Sequence, residues 1–113
     1  MPYIEVKTNI TVEKKKSEQL KDALGSAIAL IPGKSERWLM VGISGGETMY
    51  FSGSDLPCAM AKVSIFGSAE REYLEKLTCA ICKKFSEILG IPADRTYVRY
   101  QFCDDWGWNG SDF

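Results

Sequence analysis

The chain has 113 residues, 45% of them hydrophobic and 26% charged, with a formal net charge of -1; this is the length of one domain and the composition of a globular chain. The near-neutral balance argues against the basic face of a nucleic-acid binder, and no apolar stretch approaches the ~18 residues that span a bilayer. The first residues, Met1-Pro2-Tyr3-Ile4-Glu5-Val6-Lys7, have neither the charged nor the long apolar region of a secretory signal, so the default expectation is a cytoplasmic protein, with release by another route left open.

Residues Tyr3 to Ile10, rich in Ile, Val and Thr, predict a strand. Thr11 is placed to cap a helix with Glu13 in its first turn, and the run Glu13-Lys14-Lys15-Lys16 reads as its solvated start rather than a binding patch. Leu20, Ala23, Leu24, Ala27, Ile28 and Ile31 then recur at helical spacing, and Pro32-Gly33 stops the helix. A second strand is predicted over Trp38 to Ser44, a turn at Gly45-Gly46, a short strand over Thr48 to Phe51 and a loop over Ser52-Gly53-Ser54-Asp55. The order then returns. Ala59 to Phe66 predicts a strand, and Ser68 caps a helix with Glu70 and Glu72 in its first turn. Leu74, Leu77, Ile81, Phe85 and Ile88 form that helix's stripe, and Gly90 ends it; Thr96 to Cys103 is the last long strand, followed by a Gly/Asn-rich tail.

Ile31-Pro32-Gly33-Lys34-Ser35-Glu36-Arg37 and Ile91-Pro92-Ala93-Asp94-Arg95 each join an Ile-Pro helix stop to an arginine at a strand entrance. The chain therefore reads as two tandem β-α-β repeats, about residues 1–55 and 56–113 of a single domain. Right-handed crossovers make the strands of each unit parallel. The expected fold is α+β, a four-stranded mixed sheet with two helices on one face. The other face is a problem for a monomer. Trp38 and Met40 alternate with Leu39 and Val41, and Tyr97, Arg99 and Gln101 alternate with Val98, Tyr100 and Phe102, so large groups occupy both sides. Two layers cover one face only; other copies of the chain are expected to cover the second, with sites between subunits.

Histidine is absent, which removes the commonest general base at neutral pH and the commonest metal ligand. The four cysteines, Cys58, Cys79, Cys82 and Cys103, are expected to be reduced in a cytosolic chain. Cys79-Ala80-Ile81-Cys82 is a Cys-x-x-Cys, but it falls in the middle of a predicted helix rather than at the N-terminus where the dipole would lower a thiol pKa, and core packing is the favoured reading. No metal and no cofactor are expected.

Several short motifs stand in a fixed order: Met1-Pro2 running into a strand, Thr8-Asn9 at its end, Gly33-Lys34 before the second strand, and Phe51-Ser52-Gly53-Ser54 followed by Pro57-Cys58-Ala59. After them come Ile91-Pro92-Ala93-Asp94-Arg95-Thr96-Tyr97 and the tail Trp106-Gly107-Trp108-Asn109-Gly110-Ser111-Asp112-Phe113. In this set, over essentially the whole length, the chain resembles the macrophage migration inhibitory factor family of the tautomerase superfamily, which includes D-dopachrome tautomerase. The resemblance implies a homotrimer with active sites at the subunit interfaces and a catalytic proline at each.

A keto–enol tautomerase needs a base with a pKa near the working pH and a donor for the developing enolate oxygen. Removal of Met1 is expected before the small Pro2, and a free N-terminal proline is a secondary amine whose pKa falls with burial and nearby cations. With Met1 in place the Pro2 nitrogen is an amide and cannot serve. Pro57, its counterpart in the second repeat, is always internal and is expected to be structural. The resemblance places Lys34 against a substrate carboxylate, the Phe66 backbone N–H as an amide donor, and Tyr97, from a neighbouring subunit, in the pocket wall. Arg99 stands where the best-known members have asparagine; it either binds a substrate carboxylate or enolate, or pairs with Asp104 or Asp105. Trp38, Trp106, Trp108 and Phe113 fit an aromatic rim for an aryl keto acid, with Tyr3 beside Pro2. Ordinary packing is the competing reading for each, most of all for Trp108. The thiol pair attached to the family's first member is broken here, because Ala61 follows Cys58 at the third position. The expectation is an isomerase of the phenylpyruvate tautomerase type; the alternative is a cytokine-like or host-modulating binding protein with a protein receptor and a vestigial pocket. Neither nucleic acid nor membrane is expected as a partner.

Overall fold

A computed structural model describes residues 1–113. The chain runs β1 (Pro2–Thr8), α1 (Lys14–Ala27), β2 (Met40–Ser44), β3 (Ala59–Phe66), α2 (Arg71–Lys84), β4 (Thr96–Cys103), and a C-terminal pair β5 (Gly107–Trp108) and β6 (Ser111–Asp112). The main sheet has the order β2-β1-β3-β4. β1 pairs parallel with β2, β3 parallel with β4, and the two units join antiparallel through β1 and β3. This is the expected four-stranded mixed sheet with two helices.

Alternation decides the layers. Ile4 and Val6 of β1 and Ala61, Val63 and Ile65 of β3 are fully buried. They meet Leu20, Leu24 and Ile28 from the first helical segment and Leu77, Ile81 and Phe85 from the second in one 15-residue cluster. Each large aliphatic side chain so buried contributes about 1.5–3 kcal/mol. The intervening residues point to the other face of the sheet, where Met40 is 68% and Tyr97 58% exposed. No helix is long and apolar enough to cross a membrane.

Several predicted boundaries move. Strand β2 starts at Met40 rather than Trp38, because Glu36–Trp38 closes into a 3₁₀ turn. Thr48–Phe51 is not a strand; only Phe51 bridges to Ser54, and no other segment of the chain pairs with it. Thr11 and Ser68 are not the helix caps. Glu13 and Glu70 hold those positions, without a side-chain capping bond. Helix α1 continues as a 3₁₀ turn over Ile28–Leu30 before Pro32. Helix α2 runs on into a π-turn at Phe85–Leu89, and Gly90 ends it in the left-handed region (φ 70°), a conformation glycine adopts without steric cost. The tail is ordered by an Asn109-Gly110 turn (φ 52° and 79°).

Two clasps fix the loop between β2 and β3. Asn9 donates to the carbonyls of Asp55 (2.9 Å) and Leu56 (3.0 Å) and accepts from the Cys58 N–H (2.9 Å). Arg95 donates to the carbonyls of Pro57 (2.9 Å), Phe51 (3.2 Å), Ser54 (3.1 Å) and Leu56 (2.9 Å), and its guanidinium lies 5.3 Å from the centre of the Phe51 ring.

Candidate functional site

The antiparallel register of β1 and β3 sets Pro2 opposite Ile65. Pro2 is buried at the head of β1, and a cleft of ≈ 580 Å³ opens there, lined by Met1, Pro2 and Tyr3 on one side and Trp38, Trp106 and Trp108 on the other. Leu39, Met40, Ser64, Cys103 and Gly107 complete its wall, with Arg37 as the only charged side chain.

Met1 fills the inner end. Its carbonyl accepts the Phe66 N–H at 3.0 Å. Its ammonium is held below the ordinary value of 8.0, first by burial, then by the positive charge of Lys34 and a hydrogen bond with it. Lys34 reaches this point because the Ile31-Pro32-Gly33 turn brings it back over the sheet: its N–H donates to the Ile31 carbonyl (3.1 Å) and its Nζ to the Phe66 carbonyl (3.3 Å). Lys34 thus stands behind the cleft, against the amine, rather than in its wall.

The aromatic rim is built by the tail folding over the 3₁₀ turn that precedes β2. Trp38 and Trp108 meet edge to face at 5.1 Å, Trp108 and Phe113 stack at 6.3 Å, and Phe113 lies 5.7 Å from Phe66. The Phe113 N–H donates to the Trp106 carbonyl at 3.0 Å, which ties the last residue down. Tyr3 donates to Glu5 (3.2 Å), and its hydroxyl is pushed above its ordinary pKa by burial, then by the Glu5 charge.

Two sequence-predicted residues lie elsewhere in the chain. Tyr97 pairs with Met60, whereas Pro2 faces Ile65; five residues of strand put Tyr97 about 17 Å along the sheet from the cleft. There it packs edge-on against Phe51 at 5.0 Å. Arg99 sits opposite Lys62 on the outer sheet face and is exposed. It does not pair with Asp104 or Asp105, since the chain's ion pairs are Lys7–Glu5, Lys21–Asp22 and Lys84–Glu87. Arg37, Met40 and Cys103 were not singled out by the sequence as site residues. The strand alternation that put Trp38 and Met40 on one side was the available signal for Met40; nothing in the sequence brings Cys103 to the N-terminus. The Cys79-Ala80-Ile81-Cys82 thiols are both free and, contrary to the expected core packing, lie outside the core, Cys79 being exposed and Cys82 half-buried; the Cys82 thiol is pushed up by burial and then by Cys79, the opposite of an activated thiolate.

The comparisons agree with this fold. A relative described as a macrophage migration inhibitory factor homolog of Trichuris trichiura is 30% identical over 115 residues, covering 100% of both chains. D-dopachrome decarboxylase-B of Xenopus laevis is 28% identical, covering 98% of this chain and 96% of the relative. The crystal structure of Leishmania major MIF2 superposes with a TM-score of 0.94 at 29% identity, over 100% of this chain and 97% of that one. The family model described as macrophage migration inhibitory factor matches residues 1–113, and the chain belongs to the macrophage migration inhibitory factor family.

Proposed function

We propose that the chain, once Met1 is removed, is a cofactor-independent keto–enol tautomerase of the phenylpyruvate or dopachrome type, with the Pro2 amine as general base. The observation that carries this reading is the placement of Lys34 against the first amine of the chain, which burial and then that residue hold below its ordinary pKa. With Met1 removed, the Pro2 nitrogen becomes the first amine of the chain and takes up surroundings that disfavour its protonated form.

The chemistry follows from the donors. Loss of Met1 frees the Phe66 N–H from the Met1 carbonyl, so a substrate oxygen takes its place, and Lys34 supplies positive charge for a carboxylate. Pro2 removes a proton from the carbon beside the keto group. The C–H electron pair forms the C=C bond as the carbonyl π pair moves to oxygen, giving an enolate, and the proton held by the Pro2 ammonium, passed to that oxygen directly or by exchange with solvent, completes the enol and frees the amine. The cleft's three tryptophans, Trp38, Trp106 and Trp108, suit an aryl ring. The same reading includes a homotrimer. It would cover the exposed outer face at Met40, Tyr97 and Arg99, and would bring Tyr97 and Arg99 of one copy to the cleft of another.

The test is ultraviolet-monitored phenylpyruvate tautomerisation by protein whose mature N-terminus is verified by mass spectrometry, beside Pro2→Gly, with mass in solution measured by light scattering. The expected outcome is a trimer in both and a loss of about 10²–10⁴-fold in the variant. An inactive mature wild type would favour the protein-binding alternative.

A further inference from the structure

The two β-α-β units each carry an arginine in the 3₁₀ turn that leads into their second strand, Arg37 in Glu36–Trp38 and Arg95 in Ala93–Arg95. Each guanidinium lies over an aromatic ring, Arg37 at 5.2 Å from Trp38 and Arg95 at 5.3 Å from Phe51. Their polar partners differ. Arg95 spends its donors on the carbonyl oxygens of Phe51, Ser54, Leu56 and Pro57. Arg37 has no ion pair or side-chain hydrogen bond in the chain, and it lines the cleft together with Trp38 and Trp108. No aspartate or glutamate lines that cleft, although acidic residues outnumber basic ones in the chain, 15 to 14.

We propose that Arg37 is a specificity-determining residue, binding a second anionic group at the far end of the substrate, so that the preferred ligand is an aryl acid with a carboxylate at each end. Lys34 lies at the Met1 amine and the Phe66 carbonyl, whereas Arg37 lines the cleft beside Trp38. A cation stacked on an indole keeps its donor edge free in the ring plane, and a carboxylate there receives two charge-assisted hydrogen bonds. This deepens the tautomerase reading and rests on it for the reaction, but the binding preference stands or falls separately.

The experiment uses the mature protein and reads tryptophan fluorescence during titration with 4-carboxyphenylacetate and with phenylacetate, at low salt, for wild type, Arg37→Gln and Arg37→Lys. The dianion is expected to bind about three- to tenfold more tightly than the monoanion to wild type. Arg37→Gln should bring the ratio to about one, Arg37→Lys should keep part of it, and 0.5 M salt should shrink it. Equal affinities in wild type, or a preference that survives Arg37→Gln, would overturn the proposal. A parallel assay compares kcat/KM for 4-carboxyphenylpyruvate and phenylpyruvate. If neither is turned over, the tautomerase reading fails while the binding ratio still decides the role of Arg37.

Discussion

Replacing Arg95 by lysine keeps the charge and removes the fork. The guanidinium reaches four carbonyls within 3.2 Å, those of Phe51 and Ser54 half-buried and those of Pro57 and Leu56 facing water. A single ammonium on a flexible stem satisfies one or two of these. Hydrogen bonds from a charged donor are worth about 1.5–3 kcal/mol where sheltered and much less where water competes. Losing one sheltered and one exposed bond, plus the ring contact with Phe51 at about 0.5–1 kcal/mol, gives about 2–4 kcal/mol. With a urea slope of about 1–3 kcal/mol/M, the unfolding midpoint should fall by about 1–2 M. Urea unfolding of wild type and Arg95→Lys, at one fixed chain concentration because association shifts the midpoint, measures it. The loop also seats Phe51 against Tyr97, so the rate should fall with the stability if Tyr97 serves a neighbouring site. A midpoint within the equivalent of about 0.5 kcal/mol of wild type would refute the clasp as a source of stability.

Three other outcomes are expected. The proposed base must be unprotonated, so kcat/KM rises as pH passes the amine pKa from below; burial and then Lys34 lower the pKa of the Met1 amine at this place, and if the mature amine feels the same charge, Lys34→Met should move the acidic limb of the pH profile to higher pH, while Lys34→Arg holds it. A limb that stays put in Lys34→Met would separate Lys34 from the amine. A Cβ at Gly45 would lie 2.9 Å from the Ile10 carbonyl oxygen and 2.9 Å from the Val12 nitrogen; both are backbone atoms, so Gly45→Ala should cost about 1–3 kcal/mol in urea unfolding. Asn9→Asp turns an amide donor into a carboxylate facing the Asp55 and Leu56 carbonyls. The folded state then raises that carboxyl's pKa, so the defect of about 1–3 kcal/mol should appear as pH rises through the folded value and shrink below the unfolded one. A pH-independent defect in the urea midpoint would contradict this.

The helices and the two parallel pairs were legible because their patterns are local: stripes at helical spacing in Leu20–Ile28 and Leu74–Phe85, and period-two alternation in Ala59–Phe66. Boundaries were lost where propensity and tertiary geometry disagree. Thr48, Tyr50 and Phe51 favour a strand, but a strand needs a partner and the chain supplies none. Trp38 looks like the start of β2 from its bulk, yet its turn closes a 3₁₀ helix under the tail. Pro2 at the head of β1 and Lys34 after the helix stop could be singled out from the sequence because they stand at fixed points in the chain. Of the cleft's lining, Tyr3, Trp38, Trp106 and Trp108 were named from the sequence, whereas Arg37, Met40 and Cys103 were not, since they reach the cleft from different elements that only the sheet order and the folded tail bring together.

The antiparallel junction of β1 and β3 points the leading ends of the two units in opposite directions. At one end the strand begins with Pro2 beside an open cleft; at the other, Ala59 follows a loop that Arg95 and Asn9 stitch shut. A molecule made of two similar halves is therefore chemically one-ended. Ligand titration should reach its end point at one equivalent per chain.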